Sequence, residues 1–312
     1  MSIPVSGIPE ENIRVATAEP RISTSRSVFD QGKKIARGLR RAPVIPLAII
    51  GLIVFTATFA PLLTPYSTTK PSLAERLTPP VWDAEGSWDH PLGTDALGRD
   101  MATRLMFGGR VSMLVAILTL ILGGGIGTTI GLFAGFYGGR LDSVLMRIAD
   151  STLAFPIILF AILLVVTLGA SMANVVIAIA LVLWARYARV IRGEVLALRE
   201  RDFIARARVA GCSDLRILLV HLFPNTANTL LVLLTLQVGW VIIVEASLSF
   251  LGAGIPPPTP AWGAMVADGR EYVDTAWWVS AFPGVAIMLT VIAFNLVGDW
   301  LRDALDPKLR QV

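Results

Sequence analysis

Between Ile191 and Asn225, a chain that is apolar almost everywhere gathers its arginines: Arg192, Arg199, Arg201, Arg206, Arg208 and Arg216 fall within RGEVLALRERDFIARARVAGCSDLRILLVHLFPN. Such residues do binding chemistry rather than bond-making chemistry. If Asp202 to Asp214 forms a short helix, Phe203, Ala207, Ala210 and Gly211 share one face at i, i+4, i+7 and i+8, and Arg201, Arg206 and Arg208 project elsewhere. Small residues around one aromatic suit a groove on a soluble partner. A solvated basic loop is the plainer alternative, which arginine number alone would favour; the spacing favours docking.

Catalysis finds no comparable support. His90 and His221 are the two histidines, neither in an H-E-x-x-H pattern, and Cys212 is the single cysteine, so metal-ligand spacing and a disulfide framework are both missing. No serine or cysteine nucleophile has a visible base. Gly32-Lys33 is followed by Lys34 where a phosphate-binding loop requires Ser or Thr. Neither a catalytic residue nor a metal site is expected.

The elements that must position the arginine loop are membrane spans. In 312 residues, 54% are hydrophobic and 16% charged, with mean hydropathy +0.67, more apolar surface than a water-soluble globule can hide. Six apolar runs are long enough to cross a bilayer as helices, at about 44–63, 111–136, 151–170, 173–190, 226–251 and 277–298. The expected class is an all-α polytopic membrane protein. The first run begins too far in for a cleavable signal and reads as a retained anchor.

Orientation follows from basic residues. Arg14, Arg21, Arg26, Lys33, Lys34, Arg37, Arg40 and Arg41 precede the first span, Arg140 and Arg147 follow the second, and the arginine loop follows the fourth. With Arg302, Lys308 and Arg310 these read as cytoplasmic, which places both termini inside. Arg99, Arg104 and Arg110 run against the rule on the outer side, with Asp100 at i, i+4 to Arg104 as a modest offset.

Residues 1–43 read as a cytoplasmic tail, irregular to about 27, then amphipathic from Val28, with Val28, Gly32, Ile35 and Leu39 on one face and the basic residues on the other. This is the pattern of a helix lying on lipid. Residues 44–110 hold the first span and a long external connection, in which Leu97, Met101 and Leu105 predict a short interfacial helix. Residues 111–300 form the main transmembrane domain, with the arginine loop at 192–225, and 301–312 a cytoplasmic tail. In the second span, Gly123, Gly127, Gly131 and Gly135 lie on one face and invite close approach by another helix, of this chain or a partner. Pro156 and Pro283 are expected to kink spans three and six, and Trp262, Trp277 and Trp278 to anchor at headgroup level. Glu245 is the clear intramembrane acid, about 9 Å from the outer end of its span at 1.5 Å per residue. It is structural, bonded to Ser247, Ser249 or a partner, or it lines a pathway with Gln237, Thr290 and Asn295.

At this point the arginine stretch resembles the cytoplasmic loop of importer-type ABC permeases, whose pattern is E-A-A, three residues, Gly, nine residues, I-x-L-P. Aligned on Gly211 and Pro224, Ala205 stands where Glu is usual, Arg206 at the first Ala, Ala207 at the second and His221 at Ile, which is similar to the peptide-transporter branch. HPLGTDALGRD at 90–100, EASLSFLGAG with PPPTPAWGAM at 245–265, and FNLVGDWLRDALDPKLR at 294–310 resemble the permeases of dipeptide and oligopeptide importers. Nickel and glutathione importers share these motifs, so the cargo stays open among them. The resemblance implies a MetI-like type I fold in a bacterial inner membrane and an import role without enzymatic activity of its own. It also implies a second homologous permease, two ATPase subunits or one fused ATPase, and an external substrate-binding protein. Cofactors would be absent from this chain, with ATP and Mg held by the ATPases; lipid would be the other contact, and nucleic acid none. Asp202, Phe203, Ala205, Arg206, Ala207, Ala210, Gly211, His221 and Pro224 would belong to the coupling loop. An ion-coupled carrier or a membrane enzyme would need clustered ionisable groups that the spans do not offer.

Overall fold

The computed structural model describes residues 42–305, which are helical with connecting turns and hold no β-strand beyond one isolated bridge between Thr94 and Asp100. The expected surface helix from Val28, the basic residues before Ala42, and Lys308 and Arg310 lie outside the described residues.

Helix α1 (Val44–Leu63) coincides with the first apolar run. Helix α2 (Met101–Tyr137) is longer than the expected second span, because the predicted interfacial helix is its first turns. Asp100 explains the start: its carboxylate accepts from the backbone N–H of Thr103 at 2.7 Å, a side-chain N-cap, while Leu97 remains exposed in the turn before. A π-helical stretch, Leu120–Gly124, interrupts α2 without ending it.

The third span departs from its expected form. Helix α3 (Gly139–Ala154) and helix α4 (Ile157–Leu168) meet at 94°. Pro156 has no N–H to continue the ladder and forces Phe155 into an extended conformation (φ −78°, ψ 142°), which ends α3 there. The apolar run at 151–170 is therefore divided between a bent pair, leaving five uninterrupted helices long enough to span a membrane and a sixth crossing only if the pair counts as one.

Helix α5 (Met172–Arg199) is the central element, capped by Ser171, which accepts from the N–H of Asn174 at 3.1 Å. The glycine stripe of α2 lies against it. A Cβ on Gly127 would fall 2.3 Å from the Trp184 carbonyl oxygen, and one on Gly131 2.6 Å from that of Ala188, so only glycine permits this backbone approach. Gly123 lies against the Ala180 backbone, and Gly135 against the Val195 side chain and the Arg192 carbonyl. Arg192 grips Asp142 of α3 through two hydrogen bonds of 3.0 and 2.6 Å, Arg189 pairs with Asp150 at 3.2 Å, and Arg199 donates to the Gly135 carbonyl. These arginines fasten helices to one another.

Helix α6 (Asp202–Val209) follows, then α7 (Asp214–Phe250), α8 (Trp262–Gly269) and α9 (Trp278–Leu305), which runs unbroken through Pro283. The main core is built from α2, α4, α5 and α7 around Tyr187, Ile179, Leu183, Ile242 and Leu248, all fully buried.

At the end of the bundle formed by the start of α2, the end of α7 and α8, residues 64–100 and 251–277 form a cap that is polar inside. Asp95 is its hub, accepting from the backbone N–H groups of Leu97 (2.8 Å) and Arg99 (3.0 Å) and from Arg99 Nε (2.7 Å), with Arg104 Nε at 3.3 Å. Arg104 reaches on to Asp268 at 3.5 Å. The expected offset of Arg104 by Asp100 is thus replaced: Asp100 is committed to its N-cap and to His90 Nδ1 at 3.0 Å. Two of the three tryptophans expected as headgroup anchors are instead buried here. Trp262 Nε1 donates to the Leu105 carbonyl and Trp278 Nε1 to that of Thr94, whereas Trp277 is exposed. An indole N–H leaves water readily when a carbonyl is fixed opposite it.

Candidate functional site

Helix α6 supplies the surface on which the sequence motifs converge. Its inward face is apolar: Ile204 is fully buried and Ala207 nearly so, packed with Leu132 and Phe136 of α2, Ile191 and Val195 of α5, and Ile217, Leu218 and Leu222 at the start of α7. Phe203 and Cys212 close the edges of this cluster. Fully burying an isoleucine contributes about 2 kcal/mol, so this short helix is held by its contacts and not by its own propensity. Arg208 adds a second tie, with its guanidinium carbon 5.8 Å from the centre of the Phe136 ring.

The helix ends at Val209 in a Schellman arrangement. Cys212 N–H donates to the Ala207 carbonyl at 3.0 Å and Gly211 N–H to that of Arg208 at 2.9 Å, with Gly211 at φ +77°. A Cβ on Gly211 would meet no atom within 4 Å, so glycine is required here for its left-handed conformation and not for space.

This geometry corrects the expected docking face in two respects. The helix stops before Ala210 and Gly211, and the face carrying Phe203 and Ala207 turns toward the chain's own core. Ala207 lets α6 approach its own bundle closely, while Ala210 and Gly211 are exposed in the turn beyond the helix end. The outward surface is Asp202, Ala205, Arg206 and Val209, with Arg208 beside them, and Val209 is 91% exposed. Sequence reasoning passed over Val209, although its place four residues after Ala205 was the available signal.

His221 and Pro224 lie apart from that surface, at the start of α7. Residues Ile217–Leu222 are π-helical, and Phe223 N–H reaches back five residues to the Leu218 carbonyl. Pro224 follows with no N–H to give, and Asn225 Nδ2 donates to the His221 carbonyl at 2.6 Å. The H-x-x-P-N motif thus shapes the helix entrance.

The four residues considered for a pathway separate. Glu245 is fully buried, accepting from Ser112 Oγ at 3.1 Å and Ser249 Oγ at 2.8 Å, so its place is a polar clasp between α2 and α7. Of the serines expected to hold it, Ser249 does and Ser247 bonds the Ile243 carbonyl instead. Thr290 is also fully buried and spends its hydroxyl on the Ala286 carbonyl. Neither lines an open surface. Asn295 is exposed on α9, and Gln237 of α7 is 6% exposed, accepting from Arg186 Nη1 at 3.4 Å. Arg186 lies inside the apolar run 173–190, whose pattern gives no sign of this contact. Among the described residues no group of three or more His, Cys, Asp or Glu is arranged to hold a metal ion.

Comparison with known proteins agrees with this architecture. Residues 127–311 match the family described as binding-protein-dependent transport system inner membrane component. The chain is 42% identical to a putative peptide transport system permease protein of Brucella suis biovar 1, over 92% of this chain and 97% of that one. It is 44% identical to the di/tripeptide transport system permease protein DppC of Pseudomonas aeruginosa, over 83% and 86% of the two chains. With the dipeptide transport system permease protein DppC of Escherichia coli K12 it shares 43% identity over 87% and 90%.

Proposed function

The chain belongs to the family of binding-protein-dependent transport system inner membrane components, as a multi-pass MetI-like permease, and from that premise we propose that it imports short peptides, dipeptides foremost. It would form half of a translocation pathway with a second homologous permease. An external binding protein would deliver the peptide, and two ATPase subunits, or one fused ATPase, would hold ATP and Mg and perform all hydrolysis. Relatives of 42–44% identity named for peptide transport along most of their length support the cargo.

The observation that carries the coupling step is the two-sidedness of α6. Its inner face is locked to α2, α5 and α7 through Ile204, Ala207 and the Arg208–Phe136 stack, while Asp202, Ala205, Arg206 and Val209 face outward. A force applied to the outer face is therefore transmitted to three membrane helices together. Opening and closing of the ATPases would rock the bundle and expose the pathway to each side in turn. The chain acts as a two-state element biased by partners.

With α3 and α4 taken as one crossing, the six spans put both ends of the chain on the same side as α6, and the excess of arginine there supports the cytoplasm as that side. Cysteines introduced at the exposed positions Asp83 and Thr259 then react with an impermeant thiol reagent in intact cells, and Cys212 does not; labelling of Cys212 from outside would refute the topology. For the cargo, labelled di- or tripeptide accumulates in proteoliposomes only with ATP, binding protein and all subunits present. Uptake of nickel alone under those conditions would sink the peptide assignment and leave the permease intact.

A further inference from the structure

Arg186 stands where an arginine is expensive. It is the fifteenth residue of α5, which begins at Met172 and ends at Arg199, so it lies about 21 Å from the N-terminal end of that helix at 1.5 Å per residue. Its partner Gln237 lies thirteen residues before the end of α7 at Phe250, about 20 Å by the same measure, so the two meet at one depth. Side chains on a helix lean toward its N-terminus, which carries this guanidinium toward the middle of the membrane and away from the nearer interface.

The residue is exposed on the chain's surface, and among the described residues no carboxylate pairs with it. The contrast with its neighbours is direct. Arg189 and Arg192, within two turns on the same helix, pair with Asp150 and Asp142. Among the described residues Arg186 has the neutral Gln237 amide at 3.4 Å and the face of Trp240, whose ring centre is 5.8 Å from the guanidinium carbon, and no acid. Gln237 is buried, yet its amide nitrogen donates to nothing among the described residues. An unneutralised arginine facing lipid at this depth is disfavoured by several kcal/mol or more, so its exposed side faces a water-filled path or an anion. Trp240 and Gln237 hold one edge of the guanidinium, and its remaining N–H donors and the Gln237 amide stay available to one planar acceptor. That is the donor set a carboxylate fits.

We propose that Arg186, Gln237 and Trp240 form a carboxylate-binding site inside the cytoplasmic half of the membrane-spanning bundle, on the pathway wall, and that its ligand is the free C-terminal carboxylate of the peptide in transit. The site rests on the peptide-import reading above and gives the permease its own, weak selection for cargo, independent of the binding protein. It holds the peptide by an end that every linear peptide has, so side chains can vary.

The test uses the complete complex, with both permeases, the ATPases and the binding protein, in proteoliposomes. At saturating peptide-loaded binding protein, Arg186→Gln lowers uptake of a labelled dipeptide about 10- to 100-fold, as expected for loss of a charge-assisted hydrogen bond, and Arg186→Lys recovers part of it. A photoreactive dipeptide added to the detergent-solubilised complex without binding protein labels peptides containing Arg186 or Trp240. Its C-terminal amide does not, and neither does the acid with the Arg186→Gln complex. Undiminished uptake by Arg186→Gln, or equal labelling by acid and amide, overturns the site. So does loss of the second permease on purification of Arg186→Gln with recovery in Arg186→Lys, which would mean a fixed pair with an acid of that subunit. Wild-type complex that imports no peptide at all would overturn the import reading and the site together, whereas normal wild-type uptake with an indifferent Arg186→Gln overturns the site alone.

Discussion

The cap over one end of the bundle and the α6 surface at the other solve opposite problems with the same residue types. In the cap, charge is turned inward: Asp95 serves Arg99, Arg104 and two backbone N–H groups, Arg104 continues to Asp268, and Asp100 serves Thr103 and His90. Around α6 the arrangement is reversed, with Ile204 and Ala207 inside and Asp202, Arg206 and Arg208 outside. Buried charges paired with one another fix a geometry, although Arg104 Nε and Nη1 make no hydrogen bond of their own. An apolar anchor beneath a charged face fixes the helix and leaves its outer chemistry free. The cap thus spends its charges on its own geometry, whereas α6 keeps them on its surface, as the proposed coupling role requires.

Removing a charge should therefore matter far more in the cap. Asp95→Ala leaves Arg99 and Arg104, both largely buried, without their shared acid, and should destabilise the permease by about 3–5 kcal/mol, seen as a lower Tm in detergent. Asp202→Ala, its counterpart on α6, should change stability by less than about 0.5 kcal/mol. Similar losses for the two would erase the distinction.

Next in size, Ala207→Glu forces a carboxylate into the apolar cluster under α6, a penalty of about 3 kcal/mol or more in an unpaired site. The helix should detach, so that the ATPases no longer co-purify while cysteines at Asp83 and Thr259 still label from outside. Retained ATPases would mean that the inner face does not anchor the helix. Gly211→Ala is milder. It strains the left-handed C-terminus of α6 by about 1–2 kcal/mol without any clash, and should reduce co-purification less than Ala207→Glu; the opposite order would contradict the separate roles given to the two residues. The smallest effect on folding is expected from Val209→Ser, within about 0.5 kcal/mol because the side chain is 91% exposed. Transport-coupled ATP hydrolysis should nonetheless fall, and a normal rate would remove Val209 from the docking surface.

Several features were legible beforehand because they are local. The apolar run at 44–63 coincides with α1, and a helix does begin at Asp202, because apolar length and periodicity act over neighbouring residues. Glycines spaced by four announced a close helix contact. They did not say that the neighbour is α5, since the same stripe would serve a partner equally well. The faces of α6 were read in the wrong direction for a related reason. Small residues mark close approach wherever it occurs, and only the packing of Leu132, Ile191 and Leu218 shows that the approach is inward.

Composition and hydropathy by themselves determined that this protein lives in a membrane as a helical bundle, because a bilayer demands apolar length and internally satisfied backbones. Motif spacing determined its family. Tertiary structure alone decided which polar groups are spent and which are free. Glu245 and Thr290, plausible pathway residues in the sequence, are consumed by Ser112, Ser249 and the Ala286 carbonyl, whereas Arg186, hidden in an apolar run, is left exposed beside Gln237 and Trp240. Partners that lie 51 or 133 positions away in the chain leave no periodic trace in it, and a charge is neutralised, or not, by what stands next to it in space.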